Sequence, residues 1–258
     1  MNLGYNVISN NISGSEAALV QQCYDVYGPC LHPCGLSYCT KNALDIILNC
    51  CVDSPEVIGL QEINIAFKDT IKSYLQTRAN DTYDFYESRY GTACIMLAVK
   101  STLFGPGYPL TLEDEPFAEP PDPRTLQAIW FPIKDILLIN LHAPHNIDIR
   151  LTLERKMDLI MNTITPNIYP ERIIITGDFN DGQGTIGNAP LYMFNQYVTI
   201  PSTVHVTTCC DDVNYIYPGD YIMDSVLYND TYYGYPPGYI RKQPLMSDHD
   251  PIMYRTWL

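Results

Sequence analysis

The sequence predicts a single α/β domain, and three observations carry that expectation. Seven short apolar runs, rich in β-branched residues, read as strands. Three segments carry apolar residues at helical spacing and fall between those strands. The 258 residues are 46% hydrophobic, enough for one large core and too few for two comfortable domains.

The expected strands are Leu3–Ile8, Val57–Leu60, Ala93–Val99, Leu126–Phe131, Ile136–Leu141, Arg172–Thr176 and Tyr221–Leu227. Several are continuous apolar runs, as expected for strands covered on both faces or held within a core. The helix at 41–51 places Leu44, Ile47, Leu48 and Cys51 on one face. The helix at 64–77 spaces Phe67, Ile71 and Leu75 by four, and 149–164 carries Leu153, Met157, Ile160, Met161 and Ile164. Such stripes are core contacts without chemistry. Residues 105–124, acidic and proline-rich, and 228–239 (YNDTYYGYPPGY) read as loops within the domain rather than linkers.

Composition excludes several function classes. No run approaches the 18 apolar residues that a spanning helix needs. A net charge of −14 argues against tight nucleic-acid binding through a broad basic face. It leaves a nuclease open, because a metal can supply local positive charge. The start, MNLGYNVISNN, lacks a basic segment followed by an apolar one, so an intracellular protein is expected, and a monomer.

The nine cysteines are then most simply reduced thiols, with a disulfide as a minority alternative. Cys30, His32, Cys34 and Cys39 could hold zinc, but the spacing lacks paired CxxC knuckles, and a thiol-rich loop is favoured.

The chemistry resides in short polar motifs beside the apolar runs: Tyr5-Asn6, Leu60-Gln61-Glu62, Leu141-His142, Gly177-Asp178-Phe179-Asn180 and Ser247-Asp248-His249. Polar side chains at the ends of buried strands are costly unless something uses them. Glu62, Asp248 and the amide of Asn6 are oxygen donors suited to a hard cation such as Mg²⁺. Asp178 and Asn180 follow a strand and a glycine that permits a sharp exit; an Asx-type turn is the plainer reading of either alone. His142 and His249 suit proton transfer near neutral pH, with Asp224 an orienter or an isolated carboxylate.

In this order the motifs, with Asp224 and Asp250-Pro251, resemble the endonuclease/exonuclease/phosphatase superfamily, from residue 5 to residue 251. The resemblance implies a four-layer α/β/β/α sandwich of two packed mixed sheets with outer helices. It also implies Mg²⁺ or Mn²⁺ and phosphoester hydrolysis by in-line attack of water. It makes Glu62 the principal metal ligand, with Asn6 and Asp248 beside it. Asp178 would orient or deprotonate the water, and Asn180 would hold a phosphate oxygen or a metal-bound water. His249 would contact phosphate with Asp224 fixing its tautomer, and His142 would be a general acid or phosphate ligand. Arg124 and Tyr90 would contact the phosphate.

Departures narrow the choice. Ile8 stands where some apurinic endonucleases have an acidic residue, and those enzymes lack a histidine at the place of His142. The Trp-Cys-Asp-Arg run of inositol phosphatases is absent before Asp224. The expected activity is a metal-dependent phosphodiesterase acting on nucleic acid, with the Tyr-rich 228–239 segment a stacking surface or, more simply, a packed loop. The alternatives are hydrolysis of a small-molecule or lipid-headgroup phosphate, inositol phosphate or sphingomyelin-like, and a catalytically inactive binding protein.

Overall fold

The computed structural model describes residues 21, 23–28, 30–49, 53–79, 81–110, 126–143, 157–158, 160–161, 170–180, 220–226, 232–234 and 252–255. The expected strand Leu3–Ile8 lies outside them. The described elements form two packed sheets with helices outside.

The first sheet is antiparallel, with β1 (Val57–Asn64), β2 (Tyr83–Tyr90) and β3 (Ala93–Lys100) in the order β1-β3-β2. The second has five strands in chain order: β4 (Tyr108–Pro109), β5 (Leu126–Phe131), β6 (Ile136–His142), β7 (Arg172–Asp178) and β8 (Asp220–Asp224). Only β6 and β7 run parallel in it; the other pairs are antiparallel. A separate hairpin-like pair joins β9 (Tyr232–Gly234) to β10 (Met253–Arg255).

Side-chain alternation on the strands sorts the core into three layers. Ile58, Leu60, Cys94, Met96 and Ala98 face α1 (Tyr38–Leu48) and α2 (Lys68–Arg78). Leu97, Val99, Ile129, Phe131, Ile136 and Leu138 fill the space between the sheets, with Phe104 from the short helix α3 (Ser101–Phe104). Leu137, Ile139, Leu141, Ile173 and Ile175 pack against Met157, Ile160 and Met161 on the outer face. The result is the expected helix–sheet–sheet–helix sandwich.

One polar cluster interrupts the apolar layer between the sheets. Asn140, fully buried on the inner face of β6, donates from Nδ2 to the Leu60 and Met96 carbonyls, each at 3.1 Å. Its oxygen accepts from Gln61 Nε2 at 2.5 Å. Gly59 permits this closeness: a Cβ there would lie 2.7 Å from Thr176 Cγ2 and 3.2 Å from Asn140 Oδ1.

Several elements differ from the sequence expectation for local reasons. The first helix begins at Tyr38, because Ser37 caps it by accepting from the Thr40 N–H. The second begins at Lys68 after a 3₁₀ turn over Ile65–Phe67, where Asn64 Oδ1 holds the Ala66 N–H. Strand β2 has no clean alternation, yet it pairs with β3 along its whole length. Its polar Glu87 is held by Lys68 and Lys72 of α2. Tyr232–Gly234, expected in a loop, is a strand.

Replacing Asn140 by Leu removes three hydrogen bonds and leaves buried Gln61 without its partner. Urea denaturation is expected to show a loss of about 2–4 kcal/mol. Adding Gln61→Leu removes the second polar partner and is expected to recover at least about 1 kcal/mol. Simple addition of the two losses would contradict the bridging role.

Candidate active site

Glu62, His142 and Asp178 meet at one edge of the sandwich. The sequence places Glu62 at a strand end, but β1 continues through it to Asn64. Its register against β3 slips between Leu60 and Ile63. Leu60 and Ile63 both pack in the outer helical layer. Between them, Gln61 reaches Asn140 and Glu62 reaches His142, two residues on the same inner face of β6. Consecutive residues can share a face only if alternation breaks, and Glu62 breaks it with φ of +53°. That left-handed conformation is unfavourable for a residue with a Cβ.

The second sheet supplies the other half. In the parallel pairing His142 lies beside Asp178, and Leu141 beside Gly177. Sequence reasoning took Gly177 as a sharp exit from the strand; instead the strand runs on through Asp178. Gly177 is required by close approach, since a Cβ there would lie 2.1 Å from the Leu141 carbonyl oxygen, with φ of +155°.

His142 Nε2 is 3.4 Å from both Glu62 Oε1 and Asp178 Oδ2. The His142 and Asp178 side chains are each 1% exposed and that of Glu62 is 17% exposed, so the carboxylate nearest solvent belongs to β1. A proton on Nε2 would face both carboxylates. Tyr90 OH is 2.9 Å from Nδ1. Its hydroxyl can donate to a neutral ring or accept from an imidazolium, so it serves both protonation states. The rings meet edge-on at 5.8 Å. Tyr90 thus enters the site as the partner of His142.

Asp178 and Asn180 form the Asx turn that was the plainer reading. Asn180 N–H donates to Asp178 Oδ1 at 2.9 Å, and Asn180 adopts φ of +48°. The same turn also builds the site. Asn180 Nδ2 donates to the Ala143 carbonyl at 2.6 Å, and the Ala143 N–H donates to the Asp178 carbonyl at 2.8 Å, tying the turn to the end of β6.

Asp224 pairs with Ile174, four residues from Asp178 along β7, or about 13 Å. The residue opposite Asp178 is Asp220. The register places Asp224 away from the Asp178 end of the sheet; its expected partner, His249, is not among the described residues. Asn6, Arg124, Asp248 and His249 lie outside the described residues.

Two carboxylates and an amide make a donor set that suits a hard cation. Among the described residues, however, no group of three or more His, Cys, Asp or Glu is arranged to hold a metal ion. Glu62 would need further donors such as Asn6 and Asp248.

The cysteine expectation is corrected at one pair. Cys23 and Cys39 form a disulfide, with Cα atoms 6.2 Å apart, joining the helical residues 23–27 to the first turn of α1. Cys39 is thereby withdrawn from the set with Cys30, His32 and Cys34. Cys30, Cys34 and Cys94 are free thiols.

No family model matches the sequence, and no curated protein matches it. Solved structures do resemble this one. TDP2 from D. rerio, complexed with single strand DNA product, has a TM-score of 0.55 at 14% identity, covering 99% of this chain and 97% of that one. An endonuclease/exonuclease/phosphatase family protein from Bacteroides thetaiotaomicron gives 0.56 at 15% identity, covering 95% and 93%. The chain has the endonuclease/exonuclease/phosphatase fold. ANGEL2, a 2',3'-cyclic phosphatase, shares it, with a TM-score of 0.57 at 16% identity over 92% of this chain and 90% of that one. No helix among the described residues is long and apolar enough to cross a membrane.

The strain at Glu62 has a measurable consequence. Glu62→Gly is expected to raise unfolding stability by about 0.5–1 kcal/mol, because glycine accepts the left-handed backbone and one of two converging carboxylates is removed. Urea midpoints of the two proteins check this; a less stable variant would show that Glu62 is placed by favourable contacts and not held against strain.

Proposed function

We propose that this chain is a divalent-metal-dependent phosphodiester hydrolase acting on nucleic acid. The observation that carries the reading is the convergence of Glu62 and Asp178 on His142 Nε2, from three strands of two sheets. A buried histidine between carboxylates, with its second nitrogen on a tyrosine hydroxyl, is an arrangement for holding and moving a proton. The fold shared with the DNA-product complex of D. rerio TDP2 supports a nucleic-acid substrate.

In this reading Glu62, with Asn6 and Asp248, would hold Mg²⁺ or Mn²⁺, which would supply Lewis-acid neutralisation of phosphate charge. Asp178 orients the attacking water and accepts its proton, its carboxylate held by the Asn180 N–H. Asn180, whose Nδ2 donates to the Ala143 carbonyl, would orient the water through its oxygen or bind a phosphate oxygen through its second N–H. His142 carries a proton at Nε2 for the leaving oxygen, with Tyr90 supporting either form of the ring. His249 and Arg124 contact the phosphate. Asp224, on β8, would fix the tautomer of His249.

The net charge of −14 favours a second reading, a phosphate ester on a small molecule or lipid headgroup, where no extended basic groove is needed. One panel assay with Mg²⁺ separates the two. It compares single- and double-stranded DNA, RNA, 5′-tyrosyl-DNA, abasic DNA, inositol phosphates and sphingomyelin. Hydrolysis of a nucleic acid is expected, abolished by EDTA and reduced by about 10²–10³ in Asp178→Asn with folding intact. Turnover confined to inositol phosphate or sphingomyelin supports the second reading. Full activity in Asp178→Asn would overturn the role of Asp178.

A further inference from the structure

The cysteine-rich segment before α1 contains a second arrangement of reactive groups. Residues 31–37 form a tight loop closed by the Leu31–Ser37 bridge. Hydrogen bonds from the His32 N–H to the Leu36 carbonyl and from the Gly35 N–H to the His32 carbonyl, both at 2.8 Å, hold it. Gly35, at φ of +85°, makes the turn possible. The Cys23–Cys39 disulfide ties the flanking segments together.

Within this loop Cys34 Sγ lies 3.0 Å from His32 Nδ1. The Cys34 backbone N–H points to the same nitrogen at 3.2 Å. Nδ1 therefore carries the lone pair, and the thiol is the donor in the Cys34–His32 contact. The ring cannot easily turn away. It packs edge-on against Tyr38 at 5.3 Å, Tyr38 stacks on Tyr27 at 5.6 Å, and the Tyr27 hydroxyl accepts from Asn42 Nδ2. The pair opens into a cleft of about 630 Å³, lined also by Asp69, Ser73, Tyr74 and Arg78 of α2. A thiol within reach of an oriented imidazole, facing a cleft, is the arrangement of an activated nucleophile.

We propose that Cys34 is a histidine-activated thiol whose cleft admits a small uncharged disulfide and becomes S-thiolated by it. His32 Nδ1 takes the proton from Cys34, and the thiolate attacks one sulfur of the disulfide. The new bond joins Cys34 Sγ to that sulfur as the old S–S bond breaks. The departing thiolate recovers the proton from His32 and leaves as a thiol, so Cys34 is oxidised as half of the disulfide is reduced. The choice of an uncharged ligand follows from charge. The cleft carries one acidic and one basic residue, Asp69 and Arg78, and the protein as a whole is strongly negative and repels anionic disulfides.

Of the other residues that line the cleft, Arg78 brings a guanidinium, while the Asp69 side chain is exposed. Tyr74 stays neutral: burial, and then its hydrogen bond to Asp45, push its hydroxyl well above the ordinary range. Two other cysteines serve as internal controls. Cys30 is exposed. Cys94 is fully buried, and burial pushes its thiol up to about 11, which makes it inert.

The test treats the full chain with 2-hydroxyethyl disulfide and follows each cysteine by peptide mass mapping. Cys34 is expected to react at least about tenfold faster than Cys30 near pH 7, despite being less exposed. Between about pH 6 and pH 9 its rate should rise less steeply than that of Cys30, because His32 takes its proton. His32→Gln should slow Cys34 by about tenfold and leave Cys30 unchanged. Equal or slower reaction of Cys34 in the unaltered protein, or parallel pH profiles, would overturn the proposal even if His32→Gln failed to fold.

Discussion

The amide of Asn140 spans the gap between the two sheets, donating to Leu60 and Met96 and accepting from Gln61. It fixes how β6 sits against β1 and β3, and so how the ends of those strands meet. His142 is two residues further along the same face of β6, and Glu62 directly follows Gln61. A buried polar cluster of this kind is costly unless its members satisfy one another, and a slid register would leave several of them unpaired. Apolar packing alone would tolerate small shifts between the sheets; this bridge does not.

The site uses that rigidity to hold groups that would otherwise separate. Two carboxylates approach one imidazole nitrogen, and Glu62 does so from a left-handed backbone. Both features oppose folding locally. They persist because β1, β6 and β7 are anchored over most of their length by apolar side chains in three layers. The bulge is the geometric device: one irregular residue turns Glu62 inward without disturbing Leu60 or Ile63 on the outer face.

Much of this was legible in the sequence, because burial on both faces writes itself as apolar runs. The run Leu126–Phe131 matches β5 at both ends. Strand β2 leaves no clear mark in the sequence, because it lacks clean alternation and its Glu87 is held by Lys68 and Lys72 of α2. The cluster Glu62, His142 and Asp178 was readable as polar residues beside strands. Their mechanics were not. Alternation places Gln61 and Glu62 on opposite faces, and only a bulge reverses this. Asp224 shows the same limit, since its motif gives no strand direction and the antiparallel register opposes it to Ile174. Asn140 carries no signal at all, being one asparagine in an apolar run. The disulfide is a third case, as spacing among six early cysteines does not choose Cys23 and Cys39.

We propose that Glu62 and Asp178, from different sheets, act as one hydrolytic unit. A double-mutant cycle on kcat/KM for single-stranded DNA with Glu62→Gln and Asp178→Asn tests it most directly. Each single substitution is expected to cost about 10²–10³, and the double no more than about tenfold beyond the worse of them, because residues acting together are not additive. Losses that simply multiply would mean that the two carboxylates contribute independently, and the convergence on His142 would then be packing without shared chemistry.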